Sequence, residues 1–168
     1  MKGVRRYAVV VCIAAMAGRA WAGPLAPTKA SQVVTLATAA GAPTCPFIAA
    51  GKVVDSLQKP DATTASFSIP PGSVLVITEA EIVGANAASA GDRCEINLNL
   101  ATATTSNVLA THEELCDASG RISGTLTFPT GAVVKHGSTI CAVGFDDTTA
   151  AALPGILAVV HGFLASDK

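Results

Sequence analysis

From Gly23 to Lys168 the chain has no tryptophan, tyrosine or methionine, and its aromatic rings are Phe47, Phe67, Phe128, Phe145 and Phe163. That shortage removes most of the flat platforms on which single-stranded nucleic acid stacks. It also counts against the usual aromatic platform of sugar-binding proteins. Positive charge is scarce too: beyond residue 22, seven Lys and Arg face twelve Asp and Glu, a net charge of −5. An acidic surface with scattered cations does not draw in nucleic acid or anionic membrane.

Other absences narrow the chemistry. No C-x-x-C pair occurs, so zinc ligation has no frame. No glycine-rich phosphate loop follows a strand, and no D-x-[DN]-x-[DN]-G loop is present. "GRISG" (120–124) puts its serine fourth rather than third, so it is not a nucleophile elbow. Beyond residue 22 no window shows the apolar stripe of an amphipathic helix.

What is present begins with an export signal. "MKGVRR" is followed by the 12-residue apolar run "YAVVVCIAAMAG" and by "RAWA". This is a basic region, a short hydrophobic region and an Ala20-x-Ala22 site, with cleavage expected between Ala22 and Gly23. The run is too short to span a bilayer, which needs about 20 residues. Residues 1–22 are read as a signal peptide, and the protein as secreted or periplasmic and of bacterial type. No membrane insertion is expected after cleavage.

Four cysteines remain: Cys45, Cys94, Cys116 and Cys141. An even count in an exported chain implies two disulfides. "CEINLNLAT" (94–102) and "VLATHEELC" (108–116) read as a hairpin. Pairing Thr102 with Val108 sets Cys94 opposite Cys116, which leaves Cys45 for Cys141. That register puts His112 and Glu114 on the face meant to be buried, so a bulge within "THEE" is expected to restore the alternation.

Residues 23–44 are rich in Ala, Thr and Pro and read as a flexible segment, with 33–36 as a short edge strand. The domain is expected over 45–168, where β-like runs alternate with turns. These runs are 64–69, 73–85, 94–102, 108–116, 122–128, 138–145 and 155–164. In 94–102, Cys94, Ile96, Leu98 and Leu100 point one way and Glu95, Asn97 and Asn99 the other. The last run is apolar on both faces, as in a central strand. Together they predict an all-β, disulfide-stabilised antiparallel sandwich, jelly-roll-like rather than immunoglobulin-like.

One pattern recurs. "SFSIPPGSVL" (66–75) aligns with "TLTFPTGAVV" (125–134), 59 positions on. Pro71-Gly72 suits the centre of a type II turn, and Thr130-Gly131 suits the same places in the second copy. A rival alignment sets "GSVLVI" (72–77) over "GSTICAV" (137–143). Both are the grammar of turn followed by strand.

Functional candidates are few. His161 is an ionisable group in an apolar strand and reads as a core or interface histidine. His112 and Glu114 share one side of a strand, and His136 lies in a solvated turn. Asp146 and Asp147 are the candidates for calcium, the one cofactor considered. The reading that follows is a non-catalytic exported domain with a structural or protein-interaction role, self-association included. A glycan-binding domain with a polar or calcium-assisted site is the alternative, and a secreted hydrolase using His161 or His112 the third.

Overall fold

The alternating runs become antiparallel strands in a computed structural model, which describes residues 27, 29–46, 48–85 and 89–167. The signal segment and its cleavage point lie outside the described residues. In chain order the strands are β1 (Val33–Thr38), β2 (Thr44–Cys45), β3 (Ile48–Gln58), β4 (Thr64–Ser66), β5 (Ser73–Gly84) and β6 (Arg93–Ala101). They continue with β7 (Ser106–Leu115), β8 (Ile122–Lys135), β9 (Thr139–Asp146), β10 (Ala151–Ala152) and β11 (Leu157–Ser166).

The pairing follows one rule. β6 pairs with β7, β5 with β8, β3 with β9 and β1 with β11, all antiparallel. Each main strand therefore meets the one equally far from the other end of the chain, like a single long ribbon folded at the β6–β7 hairpin. Rolled up, the ribbon lies as two sheets, β1-β11-β5-β8 and β3-β9-β6-β7. That is a jelly roll. Their inner faces enclose a core that includes Leu36, Leu75, Ile77, Ile82, Ile96, Leu98, Ile122 and Val160. Burying each such side chain contributes roughly 1.5–3 kcal/mol.

Several local expectations change. β1 is not an edge strand: it is bonded to β11 on one side and to β3 on the other. The sandwich thus takes in part of the segment read as flexible over 23–44. β3 was not among the predicted runs. Its Lys52 and Val53 pair with β9, whereas Val54, Ser56 and Leu57 pair with β1 in the other sheet. The strand turns the corner between the sheets, so Val53 and Val54 are both buried, in different clusters, and the period-two signal breaks.

The repeated corner is also resolved. Ser73 N donates to Pro70 O at 3.1 Å, with Gly72 at φ 72°, so the first copy is a turn. The second copy is not. β8 runs through it, with Ile77 opposite Ala132 and Glu79 opposite Thr127. Residues 128–131 form a bulge, where Pro129 owes the ladder no N–H. The true counterpart is the turn in which Ser138 N donates to Lys135 O at 3.1 Å, with Gly137 at φ 82°. The "GSVLVI"/"GSTICAV" alignment is the structural one.

The disulfides are Cys94–Cys116 and Cys45–Cys141, with Cα–Cα distances of 5.6 and 6.0 Å. The pairs are those expected, but the hairpin register is not. Cys94 stands opposite Glu114, and Cys116 lies just past the end of β7. The bulge falls earlier than "THEE": Leu98 pairs with Ala110 and Asn99 with Val108, leaving Leu109 extra. His112 therefore stands opposite the buried Ile96 and points inward.

That histidine fills the one gap in the ring of strands. β7 and β8 end the pairing order, and between them the His112 ring lies against Gly124 of β8. A Cβ at Gly124 would stand 2.5 Å from His112 Cδ2. Gly124→Ala is expected to destabilise the protein by about 1–3 kcal/mol through overpacking. Adding His112→Ala should recover part of that loss. Urea unfolding of the two single variants and the double variant checks the coupling.

Candidate functional site

The outer faces of the two sheets differ. On β3-β9-β6-β7, Cys141 is paired with Asn99 and Val143 with Asn97. The Cys45–Cys141 bridge holds β2 over this side, packed with Val53 and Ala101. Asn97 and Asn99, expected to be wet, are consequently buried. Thr111 Oγ1 donates to Asn97 Oδ1 at 2.6 Å, and Asn97 Nδ2 donates to Glu95.

Nearby, Arg93 is ion-paired with Glu113 and lies 3.6 Å from the Asp147 carboxylate. Glu95 stands directly opposite Glu113, a repulsive placement on a sheet. One guanidinium thus offsets the negative charge gathered at this corner.

The two aspartates considered for calcium do separate work. Asp147 faces Arg93. Asp146 is buried and accepts from Thr149 Oγ1 at 2.6 Å and from Thr148 N at 2.9 Å. Its carboxylate braces the turn after β9. Among the described residues no three His, Cys, Asp or Glu side chains gather as metal ligands.

The outer face of β1-β11-β5-β8 is different: among the described residues no disulfide holds a further segment over it. Directly paired residues run across it in rows. Val33, Phe163, Val76 and Val133 form an apolar row. Val33 is 61% and Val133 43% exposed, while Val76 is buried between Phe163 and the β8 bulge. A Cβ at Gly131 would collide with Val76, so the glycine of the bulge makes room for this row. The next row is Thr35, His161, Glu79 and Thr127, and the one after it is Ala37, Val159, Glu81 and Thr125. Leu157 opposite Val83 closes the far end.

His161 is therefore not in the core. It sits half-buried on this open face, its Nδ1 3.2 Å from Thr35 Oγ1. β11 is central in its sheet, as expected, but only one of its faces is packed against the core. His112 and Glu114 do meet, Nε2 to Oε2 at 3.4 Å, at the β7–β8 seam, on strands not bonded to the β11 of His161. His136 is not simply solvated: its Nδ1 is 2.5 Å from Ile69 O and ties the two equivalent turns together. Beside it lies a cleft of about 260 Å³ lined by Asp55, Phe67, Ser68, Ser138 and Thr139.

The apolar row escaped the sequence reading. Residues 128–131 and Thr78 drop out of the ladder, so the side chains on either side cannot be aligned by counting. The one available signal was Phe163 two residues after His161, which puts both on one face of a strand.

No protein-family model matches the chain, and no curated protein matches it in sequence. Among solved structures, the globular domain of zebrafish complement 1qA protein is similar at a TM-score of 0.41 and 13% identity. The match covers 79% of this chain and 95% of that one.

The Asp146 carboxyl titrates below the ordinary aspartate value, first because Thr149 donates to it and then because the Thr148 and Thr149 N–H groups do. A carboxylate whose folded pKa is depressed stabilises the protein above its unfolded pKa of about 3.9 and loses that contribution as pH falls through the folded value. Asp146→Asn should lower stability by a constant amount at neutral pH. The difference from wild type should close only below about pH 4. Thermal melts of both proteins across that range test it.

Proposed function

We propose that the protein is an exported, non-catalytic β-sandwich module that acts by protein contact, joining copies of itself through the outer face of β1-β11-β5-β8. The observation that carries this reading is the row Val33–Phe163–Val76–Val133, apolar across four strands on a face over which the described residues place no second layer. Its outer members remain exposed in the single chain. Joined surfaces of that kind remove apolar area from water, the main favourable term in association. The two disulfides suit an oxidising compartment outside the cytoplasm, secreted or periplasmic. Catalysis by His161 has little support: its bonded neighbour is the Thr35 hydroxyl, and the pair lies on an open sheet face.

Glycan binding is a second reading, supported by the cleft beside His136. Asp55 and the hydroxyls of Ser68, Ser138 and Thr139 line it together with the Phe67 ring. Polar groups beside one aromatic ring suit a sugar, and a glycan array without signal would dispose of the idea.

Size-exclusion chromatography with light scattering tests the main reading. The wild type should be larger than one chain. Val33→Asp/Val133→Asp should weaken association by at least about tenfold, because each valine brings a share of the apolar burial and each aspartate a charge that must be desolvated. Both positions are exposed, so the variant should keep its circular dichroism. A wild type that stays monomeric at high concentration rules the proposal out.

A further inference from the structure

At one end of the sandwich the β1–β2 turn, the end of β5 and the loop between β10 and β11 enclose a groove of about 420 Å³. Its frame is fixed by backbone bonds. Ala42 N donates to Ala39 O at 3.0 Å across the turn, and Ala85 and Gly155 exchange two bonds of 3.1 Å. Its walls are small and apolar, from residues 39–42, Val83, Ala85, Pro154 and Ile156. Leu157 stands at the lip, 63% exposed.

Two cations line this apolar space, Lys52 and Arg121. Among the described residues the ion pairs engage Arg93 and His112, and neither Lys52 nor Arg121 is in one. Lys29, Lys59 and Lys135 are in no ion pair either, so what sets Lys52 and Arg121 apart is that both line one apolar groove. A bound anion would supply the missing charge, and the walls would take an aliphatic body rather than a polar one.

We infer that the groove binds a small amphipathic anion, an aliphatic monocarboxylate, with its tail on the alanine-rich walls and its head group toward Lys52 and Arg121. Val83 and Leu157 at the lip end the outer face proposed for self-association, but the cations and the alanine-rich walls lie outside its apolar row. The volume falls in the range of small-molecule pockets, roughly 300–1,000 Å³. The walls recognise length and the cations recognise charge, so the two can be tested apart.

The test is calorimetric titration of the mature protein with sodium decanoate, 1-decanol and sodium acetate, repeated on Lys52→Ala/Arg121→Ala. Decanoate should bind saturably. Each methylene removed in a shorter-chain series should weaken binding about two- to fourfold. The double variant should bind decanoate roughly tenfold or more weakly, as expected for losing charge-assisted contacts. Its melting temperature should be close to wild type, because neither side chain is in an ion pair. Three results would overturn the inference: no saturable binding of decanoate, decanol binding as tightly as decanoate, or acetate binding as tightly as decanoate. Unchanged decanoate affinity in the double variant would overturn it as well. Light scattering on the same samples reports self-association separately, so the failure of either proposal leaves the other readable.

Discussion

β3 belongs to both sheets, and the arrangement of the sandwich depends on that. Val53 turns toward the cluster around the Cys45–Cys141 bridge, and Val54, the next residue, turns into the main core. A strand that stayed in one plane would place only one of them in a core. Because β3 bends, β1 bonds to its second half while β9 bonds to its first, and the two sheets join along one edge into a continuous order. The opposite edge is left open between β7 and β8. There His112 on Gly124 substitutes side-chain packing for the missing backbone ladder.

From this closure follows the contrast between the outer faces. The corner brings β2 and Cys45 over the β3-β9-β6-β7 sheet, where the bridge to Cys141 holds them. Polar side chains on that face, Asn97 and Asn99, are buried and Asn97 is supplied with partners. Among the described residues nothing comparable returns over β1-β11-β5-β8. Its apolar row and His161 remain on the outside, and the turns that line the two clefts lie at the ends. The histidines are each bonded and apart from one another, and Asp146 and Asp147 are engaged by Thr149 and Arg93.

How much of the candidate site was legible varied with distance along the chain. The turn at Pro71-Gly72 could be read, since a proline and a glycine at those places suffice to shape it. Thr130-Gly131 carries nearly the same local pattern but sits in a bulge, because its flanks pair with β5 on both sides. Likewise, the Cys94–Cys116 pair could be proposed from a hairpin, but the turn end pairs Ala101 with Ser106, three residues from the expected register, and the extra Leu109 makes up only one of them before the cysteines. The row on the open face combines residues 33, 76, 133 and 163, and no local pattern links them.

By itself, the sequence determined the strand-rich class, the presence of two disulfides and most strand positions, and it favoured the cysteine pairing without fixing it. These depend on side-chain period, turn residues and composition, all of which act over a few residues. Only the tertiary structure decided which sheet each strand joined, where β3 turned, where the bulges fell and which face was left uncovered. Those outcomes depend on pairings between distant segments, and one bulge reverses the facing of every residue beyond it. His161 shows the difference: its apolar neighbours announced a strand, but only the packing of Ala158 and Val160 into the core turned His161 to the outer face.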